Sequence, residues 1–175
     1  EIIDGDRGIN YPKQNEFYKK EYCLFLSAKN ISGHTFNFQN ISFINKEKDV
    51  KLRKGKLQRN DFILTTRGTV GNFALYHNDI LYDQIRINSG MVILRCNEKL
   101  FDSYFLLCCF RNNYIHEQIQ NMISGTAQPQ FPIRDLQKLL FIIPPRKIIE
   151  KSNLIIKPVL TSIFKNEKSI SILTK

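Results

Sequence analysis

Short apolar runs separated by polar, turn-forming intervals dominate the first hundred residues. Tyr22–Leu26, Asp61–Thr66, Asn72–Tyr76, Ile80–Ile87 and Gly90–Arg95 each have strand length and β-branched or aromatic character,. Phe36–Ile44 alternates, with Phe36, Phe38 and Ser42 on one side and Asn37, Gln39, Ile41 and Phe43 on the other, which predicts a further strand. Leu52 and Leu57 can anchor a short helix or turn between these runs. The period then changes. Apolar residues from Tyr104 to Ile119 recur at three- and four-residue spacing, predicting one helix over Asp102–Gln120 with Asp102 or Ser103 as N-cap,. A polar loop follows at Ser124–Pro132. Pro132 suits the first position of a short helix over Ile133–Leu139, Leu140–Ile143 reads as a last strand, and Pro144-Pro145 makes a hard boundary,.

Beyond that boundary Ile149, Ile156, Ile163 and Ile170 recur every seven residues, with Ser152, Val159, Asn166 and Leu173 in the companion column. An all-isoleucine column predicts a coiled-coil helix that self-associates through Ile149, Ile156, Val159, Ile163, Ile170 and Leu173. Pro158 should kink it, and packing back on its own domain is the competing reading. The fold class is therefore α+β: a β-rich curled sheet with a few packed helices at 1–145, then a long C-terminal coiled-coil helix at 146–175.

Charge changes this picture. The formal net charge of +10 makes polyanions the first partners to consider,. Seven basic residues crowd Lys46–Arg59 against Glu47 and Asp49, as a solvated face or a phosphate-gripping surface. Five polar, glycine-containing loops carry side chains suited to phosphates and base edges: Asp4–Lys13, Ser27–Gly33, Thr65–Asn72, Asn88–Gly90 and Ser124–Gln130,.

Catalytic patterns are missing. His34, His77 and His116 lack metal-ligand spacing and read as structural,. There is no G-x-x-x-x-G-K-[S/T] or G-x-G-x-x-G loop, and no N-P-P-Y-type tetrapeptide. Asp4 and Asp6 form a tight carboxylate pair, beside glycines that favour a turn role. Cys23, Cys96, Cys108 and Cys109 have no C-x-x-C spacing and suit buried free thiols in a reducing cytoplasm,. No apolar run is long enough to span a bilayer. The opening Glu1-Ile2-Ile3, without Met, suggests a piece of a longer protein.

Several ordered blocks, D-G-D-R-G-I-N-Y-P at Asp4–Pro12, L-F-L-S-A-K-N-I at Leu24–Ile31, L-T-T-R-G-T-V-G-N at Leu64–Asn72, I-N-S-G-M-V-I-L-R at Ile87–Arg95 and I-S-G-T-A-Q-P-Q-F-P-I at Ile123–Ile133, resemble the target-recognition domain of type I restriction-modification specificity subunits. The tail Ile155–Lys175 resembles the helical spacer of that family, although Arg146-Lys147 stands where Glu-Gln usually follows the prolines. The resemblance implies a non-catalytic subunit with two such domains, each reading half of a bipartite duplex-DNA sequence. It also implies paired antiparallel helices that set the half-site separation. Methyltransferase subunits with S-adenosylmethionine, and restriction subunits using ATP and magnesium, would be the partners; no cofactor is expected on this chain. One domain and one helix would be half a subunit or a fragment of one.

The expected DNA contacts are Arg7 and Lys13 in the first loop, Lys29 and Asn30 in the second, and Arg67 and Thr69 in the third. Ser89 follows in the fourth, and Thr126, Gln128 and Gln130 in the last. Lys51, Arg53, Lys54 and Lys56 would grip phosphate. Arg67 should brace or hold phosphate, leaving base reading to Ser32–Gln39 and His77–Gln84. A protein-interaction scaffold and a stand-alone nuclease are the other two readings that remain open.

Overall fold

The computed structural model describes residues 1–125 and 128–173, the side chains of residues 170–173 apart. Four strands, β1 (Ile2–Asp4), β6 (Phe62–Thr65), β7 (Phe73–Leu75) and β9 (Met91–Leu94), form an antiparallel sheet in the order β1-β9-β6-β7. A second sheet sets β2 (Cys23–Leu26) between β5 (Ser42–Ile44), antiparallel, and β8 (Ile85–Ile87), parallel. A small hairpin, β3 (Ile31–Ser32) and β4 (Thr35–Phe36), lies against β7.

The alternation along the central strands determines the layering. Phe62, Leu64, Phe73, Leu75 and Val92 face helices α2 (Ser103–Phe110) and α3 (Asn113–Met122), while Ile63, Ala74, Met91 and Ile93 face Leu24, Leu26, Ile85 and Ile87 of the second sheet. A sheet covered on both sides needs apolar residues at every position, which accounts for the unbroken runs Phe62-Ile63-Leu64 and Met91-Val92-Ile93. The outer face of the second sheet buries Cys23, Phe25, Ile44 and Leu52 under Tyr11 and Phe17.

Several expected elements are divided or shortened. The strand foreseen over Phe36–Ile44 is broken by a turn at Asn40, whose φ is 52°, and β5 keeps only its end. Asn30 enforces the bend by donating to the carbonyls of Asn37 at 3.1 Å and Gln39 at 3.2 Å. The single helix foreseen over Asp102–Gln120 is two helices, because Asn112 caps a new start by accepting from the Tyr114 N–H at 2.9 Å,. Asp102 does cap the first, accepting from Phe105 at 3.0 Å. Of Ile80–Ile87 only β8 is strand, and Leu140–Ile143 has no strand assigned: Leu140, Ile142 and Ile143 are exposed while Phe141 packs against Phe110. Basic helix α1 (Lys46–Lys51) runs into buried Leu52, and α4 (Ile133–Leu136) is one turn.

Helix α5 (Arg146–Leu173) spans 28 residues and runs through Pro158 without interruption. Proline leaves the carbonyl one turn back without its helical donor; here that is the carbonyl of Leu154, a residue on the exposed face of the helix. The described members of the isoleucine column, Ile149, Ile156 and Ile163, do not face outward. Ile149 is buried, and Ile156 and Ile163 pack with buried Leu160 and Phe164 into the same core as α2 and α3. The helix thus covers its own domain with the face expected to self-associate. The column was read correctly and its partner was not, because a seven-residue period marks an apolar face without saying what covers it. Val159 does point outward, at 55% exposure; the side chains of Ile170 and Leu173 lie outside the described residues. Among the described residues no helix is long and apolar enough to cross a membrane.

Candidate nucleic-acid interface

The strands carry the five polar loops to one end of the molecule. Asp4 pairs with Val92, Thr65 with Met91, Leu64 with Phe73 and Leu26 with Ile87, so β1, β6, β2 and β8 finish where β7 and β9 begin. Backbone hydrogen bonds then join loop to loop. The N–H groups of Thr66 and Arg67 both donate to the Gly90 carbonyl, at 2.8 and 3.1 Å, and the Phe131 N–H donates to Thr66 at 2.9 Å. Asn88 donates to Leu26 at 2.9 Å, Arg7 reaches the Ser89 carbonyl at 3.3 Å, and the Thr69 hydroxyl reaches Ala28 at 3.3 Å. Arg67 also bridges Gln130.

Inside the Thr65–Asn72 loop, Gly68 and Gly71 take positive φ of 75° and 91°, a region glycine enters without penalty. The Thr65 hydroxyl closes the loop by donating to the Thr69 and Asn72 carbonyls. Gly5 is required for another reason: a Cβ there would lie 2.1 Å from the Asn88 carbonyl oxygen.

Two buried carboxylates fasten the basic segment to this end. Asp6 accepts from the Gly8 and Arg53 N–H groups, each at 2.8 Å. Burial alone would raise its pKa, but the N–H groups of Gly8, Arg53 and Lys54 and the Arg53 charge outweigh that and hold it below the ordinary carboxylate value,. Asp49, 6% exposed, accepts from Arg86 Nε at 2.6 Å and from Lys56 at 2.8 Å with both oxygens. These bonds likewise overcome burial and depress its pKa. Arg86 also donates to the carbonyls of Lys54, Asp49 and Leu52 at 2.7, 2.7 and 3.0 Å, threading the whole turn onto β8.

Among the expected contacts, Lys13, Lys29, Lys54 and Arg67 are exposed with no carboxylate within 4 Å among the described residues, and Arg53, Thr69 and Gln128 are exposed too. Arg7 is half-exposed and paired with Asp4 at 3.0 Å. Ser89 and Gln130 are partly buried, and Gln130 exchanges backbone hydrogen bonds with Ser124 at 2.9 and 3.0 Å. Thr126 lies outside the described residues. Three of the expected contacts are engaged within the chain. Asn30 is 3% exposed, with its side-chain amide used on Asn37, Gln39 and Ser27, so it shapes the second loop and is not available to DNA. Lys56 is committed to Asp49, and Lys51, on the α1 surface, pairs with Glu47 at 2.6 Å.

The Lys46–Arg59 run is therefore not one phosphate strip. Arg59 turns to the far end of the sheets, where it donates to His77 and Ile80 carbonyls and pairs with Asp83 at 2.5 Å. His77–Gln84 sits at that far end as well, meeting the loops, among the described residues, only at Ser32. With Thr35–Gln39 and Phe164 it lines a cleft of 490 Å³. Asp6 has the turn role its glycine neighbours favour, and the brace that went unread is Arg86. A lone arginine between Ile85 and Ile87 in a buried strand was the available signal, since a charge is carried inside only when it is bonded there.

This loop-bearing end belongs to a known architecture. The model of the type I restriction modification DNA specificity domain matches residues 2–173. The chain belongs to that family. The type I restriction enzyme MjaIX specificity subunit of Methanocaldococcus jannaschii is 25% identical over 177 residues, which cover 100% of this chain and 39% of that protein. Among solved structures, the HsdS subunit from Thermoanaerobacter tengcongensis aligns with a TM-score of 0.60 at 14% identity, covering 96% of this chain and 37% of its own. A chain from work on "complex assembly and conformational transition of the type I R-M system" aligns at 0.63 and 14% identity, covering 99% and 39%. These likenesses establish the fold. This specificity domain spans about two fifths of the length of its relatives.

Proposed function

We propose that this specificity domain reads one half of a bipartite duplex-DNA target for a type I restriction-modification complex and docks its methyltransferase subunit. The observation that carries this reading is the convergence of five hydrogen-bonding loops, with exposed Lys29, Arg53, Lys54 and Arg67, on one end of a rigid two-sheet body. Cations with free side chains supply phosphate affinity, while Thr69, Gln128 and Gln130 supply donors and acceptors for base edges. Catalysis, S-adenosylmethionine, ATP and magnesium belong to partner subunits in this account, and the site of action is the cytoplasm.

The outward face of α5 provides the helix-pairing surface. Ile148, Ile155 and Val159 are 50%, 72% and 55% exposed, spaced seven and four apart as a coiled-coil seam requires. With the isoleucine column turned inward, this second stripe is the one left to meet the helix of another specificity domain.

Fluorescence anisotropy with duplex DNA of mixed sequence tests the reading. Lys54→Ala should weaken every duplex alike and lower the slope of log affinity against log salt by about 0.9. No salt-dependent binding by the wild-type chain, together with oligomerisation through α5, would favour the protein-interaction scaffold.

A further inference from the structure

The 490 Å³ cleft beside α5 takes no part in the reading above. Three segments far apart in sequence wall it: hairpin β3–β4 with the chain that follows it, the turn after β7, and α5. Direct contacts close its rim. Phe164 of α5 stacks on buried His77, ring centroids 3.9 Å apart and planes at 8°. His77 Nδ1 accepts from the Asp79 N–H at 3.3 Å. Further along the same turn Tyr82 meets Phe38 at 5.1 Å, and Phe38 stacks on Phe36 at 5.5 Å with planes at 8°. Next to Phe36, the Thr35 hydroxyl donates to Glu167 at 3.0 Å, three residues on from Phe164 along α5. The circuit is thus complete, and the Tyr76 hydroxyl fixes it from behind by donating to the Tyr82 carbonyl at 2.6 Å.

The chemistry of this wall differs from that of the rest of the surface. The chain carries a net charge of +10, yet here Asp79 and Glu167 outnumber Lys168. The Asp79 carboxylate lies 3.9 Å from His77 Nδ1, but burial pushes the His77 pKa down to about 4, so at neutral pH the ring is uncharged and forms no ion pair. The hydrogen bond from Thr35 to Glu167 is neutral on the donor side and leaves the carboxylate charge in place. Phe36, Phe38 and Tyr82 are half-buried and line the cleft. Ring faces attract a cation through their quadrupole, and carboxylates accept from its N–H groups. A planar guanidinium can do both at once, stacking on a ring while its fork meets a carboxylate, whereas an ammonium lacks the plane. Phosphate would meet like charge here. The volume lies in the range of sites that hold a small ligand or a few side chains.

We infer that the cleft is a docking site for an arginine-bearing segment of a partner protein, whose guanidinium sits among the ring faces and the carboxylates of Asp79 and Glu167. The charge of the wall selects this occupant on an otherwise basic chain. The rim is already joined by stacking and hydrogen bonds, so little side-chain freedom is lost when it fills. The inference does not depend on the DNA-reading role proposed above.

Titration of the full chain, labelled with nitrogen-15, by the capped tripeptide Gly-Arg-Gly tests it in two-dimensional NMR spectra. Amide shifts should saturate with a dissociation constant of about 1 mM, as befits a single side chain, and should cluster on Thr35–Gln39 and His77–Tyr82. The same peptide with citrulline, which keeps the shape and loses the charge, should bind at least about tenfold more weakly. D79N and E167Q should each weaken the arginine peptide roughly threefold, and the double variant about tenfold. E167Q keeps an acceptor for Thr35, and thermal melts confirm that the variants are folded. Shifts that do not saturate or that scatter over the surface overturn the site. So does equal binding of the citrulline peptide, or a D79N/E167Q variant that binds as the wild type does. Cleft resonances that move with a short DNA duplex and not with the peptide overturn it in favour of nucleic acid.

Discussion

Replacing Arg86 with methionine tests how the basic turn after α1 is held. The guanidinium is 6% exposed and makes four bonds, to the Asp49 carboxylate and to the Lys54, Asp49 and Leu52 carbonyls. Methionine fills similar volume and makes none of them. Removing one partner of a buried ion pair costs about 3–5 kcal/mol, because the other charge stays inside. Asp49 retains Lys56 through two 2.8 Å contacts, which argues for the lower end, whereas three orphaned carbonyls argue for the upper. Against a domain stability of about 5–15 kcal/mol, this is a large loss. Urea unfolding followed by circular dichroism should show it. Removing both partners, in D49L/R86M, leaves only Lys56, 30% exposed and able to turn to water, without its partner, so the double variant should be far less destabilised than the sum of its single changes. Wherever R86M remains folded, its duplex affinity should fall with Arg53 and Lys54 no longer fixed. A cost below about 1 kcal/mol, or strict additivity in the double variant, would refute the argument that this network fastens the turn.

Other expected outcomes follow from single distances. Gly5→Ala places a methyl 2.1 Å from the Asn88 carbonyl; the first and fourth loops must part, and thermal unfolding should register a loss of about 1–3 kcal/mol. His77, with a folded pKa of about 4 against an ordinary 6.5, makes the unfolded chain the better proton acceptor in that interval. Its contribution is complete above pH 6.5 and falls by roughly 3 kcal/mol on descending to pH 4; His77→Phe, which keeps the ring on Phe164, should flatten that part of the stability–pH curve. Ile155→Lys on the outward stripe of α5 should leave the melting temperature within a few degrees of wild type, while Leu160→Lys on the inward face should unfold the domain.

Much of the loop-bearing end was legible in the chain itself. Turn chemistry marked all five loops, and the strands flanking Thr65–Asn72 were identified by their apolar runs. What could not be read was long-range pairing. Ile2–Asp4 gives no local sign that it joins β9, about ninety residues away in sequence, and the parallel pairing of β2 with β8 is equally non-local. Local hydrogen bonding overrode periodicity in two places, at Asn112, which restarts a helix, and around Asn30, which folds Phe36–Ile44 into two pieces. The basic run was visible as charge, yet its division was not, because Asp49, Arg86 and Asp83 draw Lys56 and Arg59 away from solvent only once the sheets have assembled.

The central claim is that this domain chooses DNA by sequence as well as by charge. Selection of bound duplexes from a random library, followed by sequencing, measures that directly. A short motif should be enriched, Gln128→Ala should relax it at one position at a cost of about 1–3 kcal/mol, and Lys29→Ala should lower the yield without altering the motif. Recovery of the unselected base composition, with Gln128→Ala and Lys29→Ala indistinguishable from each other, would contradict the account.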